Sequence, residues 1–214
     1  MLRKERKREL MGERQIQPAY DNIDKQKTYR EMLGRYRLAM KDGFYLEAIL
    51  IDYAMMEDRL RSFLYYIGGL QKRDDLSIKG KAKPYLKRMV LDYDPKGNLG
   101  IRSISGKKRI AKAVLNWEES SHRLNDDKYL KALRSDIEKL DVGGLLDTLT
   151  KIEAWCNYRN ECIHSVMNKN MDSLESGIAQ KAEEGMAYAR FLDEQVKILK
   201  KRNQARRSLG KEYT

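Results

Sequence analysis

The stretch that decides the fold is LLDTLTKIEAWCNYRNECIHSVM, residues 145–167. Its apolar residues recur at steps of three and four, which is the spacing of one buried face of an α-helix. They are Leu145, Leu149, Ile152, Cys156, Ile163 and Met167. The position that would continue this face between Cys156 and Ile163 is Arg159. A guanidinium group keeps its charge, so burying Arg159 is costly unless a carboxylate or another anion receives it.

A polar edge runs beside this apolar face, formed by Glu153, Asn157, Asn160 and His164. Asn160 and His164 lie one helical turn apart, so their side chains can be neighbours. His164 is one of only two histidines in the chain, and a histidine can transfer a proton near neutral pH. Arg159 and His164 point about 140° apart on a regular helix. They can share a site only if the helix bends, ends, or meets a second copy of itself.

An Arg followed by a polar residue, three further residues and a His, late in a helical bundle, resembles the motif of the HEPN (higher-eukaryote and prokaryote nucleotide-binding) superfamily. The matching residues are Arg159, Asn160 and His164, and the helical layout of residues 43–200 is similar as well. The resemblance implies a metal-independent endoribonuclease of toxin or antiviral-defence type, which leaves a 2′,3′-cyclic phosphate. It also implies RNA as the substrate and a homodimer with the active site at the interface.

The resemblance also assigns roles to these residues. Arg159 would clamp the phosphate, His164 would transfer protons, and Asn160 would orient His164 or touch the substrate. Acidic residues on an early helix support the motif in some HEPN families, so Asp52 or Glu57 is expected either to anchor Arg159 or orient His164, or to lie on a solvated face.

Some HEPN toxins are silenced by a nucleotidyltransferase that modifies a tyrosine two residues after the motif histidine. Val166 stands at that position here. The sequence therefore disfavours this particular antitoxin, while another antitoxin or regulatory partner stays open.

The composition bounds the fold and the chemistry. With 214 residues, 36% charged residues and only three prolines, the chain fits one all-α domain, a helical bundle of about five to six helices. Its two cysteines and two histidines make a metal site of nitrogen and sulfur ligands untenable, so no metal or other cofactor is expected. The absence of a long apolar run predicts a cytoplasmic protein without a membrane partner.

The predicted organisation has three parts. Residues 1–19 form a basic N-terminal arm, residues 20–205 form a single helical domain, and residues 206–214 form a basic C-terminal tail. Within the domain, residues 71–105 are predicted to be a basic irregular insertion. A small hairpin is expected there, around the turn Pro95-Lys96-Gly97-Asn98.

The net charge of +12 is unevenly placed along the chain. Residues 71–112 carry thirteen Lys or Arg against four Asp, and residues 197–214 carry seven against one acidic residue. Such segregation favours a polyanionic partner such as RNA, with Lys107, Lys108 and Arg109 as candidate contacts. The alternative is that the basic terminal segments are only solubility or disorder features.

Two other functions fit the same residues. One is a non-catalytic basic helical protein that binds nucleic acid or acts as a scaffold, in which Arg159 pairs with Asp52 or Glu57 for structural reasons. The other is a regulatory HEPN module that binds a nucleotide without cutting RNA. Substitution of His164 separates the first of these from the enzyme, because only the enzyme needs that side chain.

Overall fold

The computed structural model describes residues 23–72, 74–120, 127–165 and 177–210. This described chain is all-α, as predicted, and the predicted arm at residues 1–19 lies outside it. The helices are α1 (Ile23–Asp42), α2 (Tyr45–Tyr66), α3 (Lys83–Tyr93), α4 (Ile104–Ser120), α5 (Lys128–Ile137), α6 (Val142–Ser165), α7 (Ile178–Arg202) and α8 (Gln204–Ser208). Within these ranges, no helix combines the length and the apolar character that crossing a bilayer requires.

Helix α2 lies at the centre of the bundle. Its most extensive packing is along α7, and it also contacts α1, α4 and α6. The residues of α7 that face the core include Ala182, Gly185 and Ala189, all small and buried. Small side chains let two helices approach closely, so these residues favour close packing of α7 on α2. The motif helix α6 packs on this pair and on α4.

The segment predicted to form a hairpin is organised differently. Leu86, Met89 and Val90 are buried at helical spacing, and this apolar face continues the helix to Tyr93 instead of starting an extended arm. The chain then turns at Gly97, where φ is +57°. Within the described residues, a single isolated bridge between Ser77 and Gly100 stands where a hairpin was expected. The hairpin prediction is therefore wrong, while the segments on either side of α3 are irregular.

A buried network of ion pairs joins α1, α2 and α7. Arg59 of α2 is 0% exposed, and its Nη1 donates a hydrogen bond to Asp193 Oδ1 at 2.8 Å. Its Nη2 donates to Tyr29 Oη at 2.7 Å and also to Asp58. Burial opposes the charge of Asp58, but Arg59 and Lys25 hold the pKa of that carboxyl below its usual value. The Arg59 charge is thus satisfied inside the protein.

The C-terminal residues fold back onto the end of α2. Arg206 is 4% exposed, and its guanidinium donates to the carbonyl oxygens of Leu70 at 2.7 Å and of Tyr65 and Gln71 at 3.2 Å. Arginine can cap the open carbonyls at a helix C-terminus in this way. Residues 206–210, the first part of the predicted basic tail, therefore pack against the bundle. Residues 211–214 lie outside the described chain.

Candidate functional site

Arg159 lies in the C-terminal half of α6 and is partly buried. Its guanidinium carbon sits 3.9 Å from the centroid of the Tyr53 ring on α2, which is the geometry of a cation–π contact. Its Nη1 donates to Asn160 Oδ1 at 2.8 Å, while its buried Nε has no hydrogen-bond partner. In the described part of the chain, no carboxylate lies within ion-pair distance of this guanidinium. The groups that orient Arg159 in the described chain, the Tyr53 ring and the Asn160 amide, are neutral.

Asp52 does not anchor Arg159, contrary to one of the predicted roles. Its side chain is 0% exposed, and neither of its carboxyl oxygens has a hydrogen-bond partner. It faces α7 and α6, because a Cβ atom built on Gly185 would lie 2.7 Å from Asp52 Oδ2 and 2.7 Å from Trp155 Cζ2. Burial raises the pKa of Asp52 to about 9, and the charge of Arg190 opposes this only in part. Adjacent helical positions diverge by about 100°, so Tyr53 faces Arg159 while Asp52 faces the core.

Glu57 also has another partner. Its Oε1 accepts a hydrogen bond from Lys107 Nζ at 2.6 Å, and the Lys107 side chain is 0% exposed. Burial lowers the pKa of Lys107, although the carboxylate of Glu57 favours the charged amine. Lys107 therefore joins α4 to α2 inside the protein, and its buried amine contacts Glu57 instead of facing solvent as the predicted RNA contact requires.

Lys108 and Arg109 are likewise engaged by the protein. Lys108 is 4% exposed and its Nζ lies 3.5 Å from Glu153 Oε2 on α6. Arg109 donates from Nε and Nη2 to the carbonyl oxygen of Asn98 at 3.1 and 2.8 Å. Of the three predicted RNA contacts, only Arg109 keeps a substantially exposed side chain. The sequence identified the basic run correctly but could not show that its side chains hold the fold together.

Cys156 lies one turn before Arg159 on α6, and the charges of Lys108, Arg159 and Glu153 all act on its thiol. Burial raises the pKa of the Cys156 thiol, and the charges of Lys108 and Arg159 pull it in the opposite direction. The pKa of Tyr53 is raised chiefly by burial, and Glu57 adds to the shift while Arg159 opposes it. This junction of α2, α4 and α6 therefore carries both signs of charge. Lys108 is paired with Glu153, whereas the guanidinium of Arg159 has no carboxylate partner among the described residues.

His164 lies in the last turn of α6 and is exposed, as Asn160 is. Helix α6 runs unbroken from Val142 to Ser165, so Arg159 and His164 point about 140° apart and are offset by about 7.5 Å along the axis. The structure thus brings Arg159 together with Asn160 and Tyr53, but it does not bring His164 to the guanidinium.

Tyr53 is the part of this arrangement that sequence reasoning missed. It occupies a helical core spacing in α2 and was indistinguishable from a packing residue. Tyr53 and Arg159 are far apart along the chain, so no local sequence pattern indicates that they are in contact. Only the packing of α6 on α2 makes it the platform of the guanidinium.

No family model, curated protein or solved structure matches this chain. The geometry of the site is therefore the basis for any functional conclusion. Across the described ranges, no group of three or more His, Cys, Asp and Glu side chains is placed to hold a metal ion.

Proposed function

We propose that this protein is a metal-independent endoribonuclease that works as a homodimer, in a toxin or defence context. The observation that carries the proposal is the state of Arg159. Its guanidinium is fixed by the Tyr53 ring and by Asn160, and no carboxylate of the described residues neutralises it. By contrast, the charge of the buried Arg59 is neutralised by ion pairs with Asp58 and Asp193. A fixed guanidinium in a partly dry site is suited to bind and stabilise a phosphate.

The residues fit cleavage by the neighbouring 2′-hydroxyl of RNA. A base removes the 2′-hydroxyl proton, the 2′-oxygen bonds to phosphorus, and the bond from phosphorus to the 5′-oxygen breaks as an acid protonates that oxygen. The products are a 2′,3′-cyclic phosphate and a 5′-hydroxyl. Arg159 would hold the non-bridging oxygens as their charge grows. Asn160 would position Arg159, and His164 would move a proton.

A second copy of the chain resolves the separation of Arg159 and His164. A two-fold interface sets the same patch of both protomers face to face, so His164 of one protomer can reach Arg159 of the other. Ile163, beside His164, is 37% exposed and supplies apolar surface for such an interface. Each dimer would then hold two equivalent composite sites.

The experiment that tests the proposal is RNA cleavage in EDTA, with end-group analysis of the products. We expect the wild type to cut RNA and leave cyclic phosphates, and Arg159→Ala and His164→Ala to lose cleavage while keeping their helical circular dichroism. Equal cleavage by all three proteins would place the activity at another site. If the wild type cuts neither single-stranded nor structured RNA, the proposal is wrong.

Mixing the two inactive variants tests the composite site directly. In a mixed dimer, one site lacks both residues and the other is intact. Random exchange of protomers makes about half of the dimers mixed, so about a quarter of the wild-type activity should return. If Arg159 and His164 act within one protomer, mixing should restore nothing.

A second candidate is favoured by the exposed cations of α3, which Lys83, Lys87 and Arg88 supply. A basic helical protein that binds nucleic acid without cutting it would use these residues and not His164. In that case His164→Ala should leave both RNA binding and biological effect unchanged.

A further inference from the structure

A basic surface lies at the start of α3, formed by Lys81, Lys83, Lys87 and Arg88, all of them exposed. The sequence has no acidic residue between Asp75 and Asp92, so no carboxylate of the same segment is interspersed with these cations. For Lys83, Lys87 and Arg88, none of the described carboxylates makes an ion pair. Lys83, Lys87 and Arg88 thus present charge to solvent that no ion pair with a described carboxylate neutralises.

The basic surface adjoins the end of α8. Lys81 Nζ donates to the carbonyl oxygen of Leu209 at 3.4 Å, and the exposed Arg207 lies in the last turn of α8. The two segments are distant in sequence, so the fold gathers positive charge from both at one end of the bundle. This is the end at which Arg206 caps α2.

The placement of these cations works against the stability of α3. Lys83 is in the first helical turn, and that turn carries no acidic residue. A cation there opposes the helix dipole, which favours negative charge at an N-terminus. Lys83 and Lys87 are four residues apart, where like charges on a helix repel each other. A bound polyanion would relieve both costs.

We propose that the basic surface binds the phosphate backbone of RNA, without reading its sequence. This inference rests on the proposed function, for which it is the place where the substrate docks away from Arg159. It also relocates the RNA contacts expected from the basic segment, because Lys107 and Lys108 are buried while Lys83, Lys87 and Arg88 face solvent. Lysine and arginine on an open surface bind phosphates by charge and release counterions as they do so.

The test measures binding separately from cleavage. In a His164→Ala background, Lys83→Gln, Lys87→Gln and Arg88→Gln are combined, and the affinity for a labelled single-stranded RNA is measured by fluorescence anisotropy across a salt series. Loss of three phosphate contacts should reduce the slope of log K against log salt by about 2. Affinity at physiological salt should fall by about tenfold or more.

A matched control removes the same charges elsewhere. Lys27→Gln, Arg35→Gln and Lys41→Gln, all exposed on α1, should leave the salt slope within error of the parent. Equal losses in both triple variants would show that binding follows net charge and would overturn the proposal. Unchanged binding in the α3 variant would overturn it too, as would binding of phosphatidylserine vesicles in place of RNA. If the wild type binds RNA through α3 but never cuts it, the proposed function fails and this surface stands.

Discussion

Replacing Asp52 with Asn should remove a pH dependence of folding that one buried carboxyl creates. Asp52 is 0% exposed and both of its oxygens lack hydrogen-bond partners. Burial therefore favours the neutral acid, and the pKa rises from 3.8 to about 9. Asn has nearly the same shape but does not titrate, so the comparison isolates the proton.

The sign follows from proton binding in the two states. Above the unfolded pKa of 3.8 the unfolded chain has lost this proton, while the native protein keeps it until about pH 9. Raising the pH in that window therefore lowers the free energy of unfolding of the wild type by about 1.4 kcal/mol per pH unit. Between about pH 5 and pH 7 the ionisation of Asp52 lowers the free energy of unfolding of the wild type by about 3 kcal/mol. This is a large share of a typical stability of about 5–15 kcal/mol.

The assay is urea unfolding followed by far-UV circular dichroism at several pH values. The free energy of unfolding of Asp52→Asn minus that of the wild type should rise steadily with pH by the amount given above. Asp92→Asn, at an exposed aspartate of α3, controls for the loss of one negative charge. A difference that stays flat between about pH 5 and pH 8 would refute the reasoning, because Asp52 would then be ionised and solvated in the native protein.

Substitutions at two further positions test the contacts around α2. Gly185→Ala should lower the free energy of unfolding by about 1–3 kcal/mol, because the added carbon would stand 2.7 Å from Asp52 Oδ2. Thermal melting checks this, and an unchanged melting temperature would mean that α2 and α7 can separate without cost. Tyr53→Leu should lower kcat for RNA cleavage, because Arg159 loses its aromatic platform, whereas Tyr53→Phe should keep most of the activity. Equal rates for the two variants would assign the ring no part in positioning the guanidinium.

The fold class could be predicted because helical periodicity is a local property. Apolar steps of three and four in α2, α6 and α7 indicate which faces are buried, and the glycines at 43 and 68 follow the helix ends with positive φ. The hairpin prediction was wrong because it used only local signals. Turn residues around Pro95 were visible, but the burial of Met89 and Val90 that extends α3 depends on partners elsewhere in the chain.

The candidate site was predictable only in part. The intrusion of Arg159 on an apolar stripe correctly marked an unusual arginine, whose Nε is buried without a partner. Its neighbour could not be predicted, since Asp52, Tyr53 and Glu57 are all close in sequence and only helix rotation decides which one faces α6. That rotation selects Tyr53 and turns the acidic residues to the core and to Lys107.

The cations of this protein fall into two groups: those that the fold pairs with its own acceptors, and those whose charge is available to a ligand. Arg59 and Lys107 are fully buried and each is met by carboxylates, and Arg206 is met by backbone carbonyls. Breaking such a buried pair costs about 3–5 kcal/mol, so these residues are fixed by stability. Arg159 and the exposed cations of α3 have no carboxylate partner in the described chain. Neutralising the α3 lysines should therefore leave the free energy of unfolding intact, so a loss of RNA binding or cleavage in such a variant cannot be explained by unfolding. The α3 surface is where a polyanion should be sought.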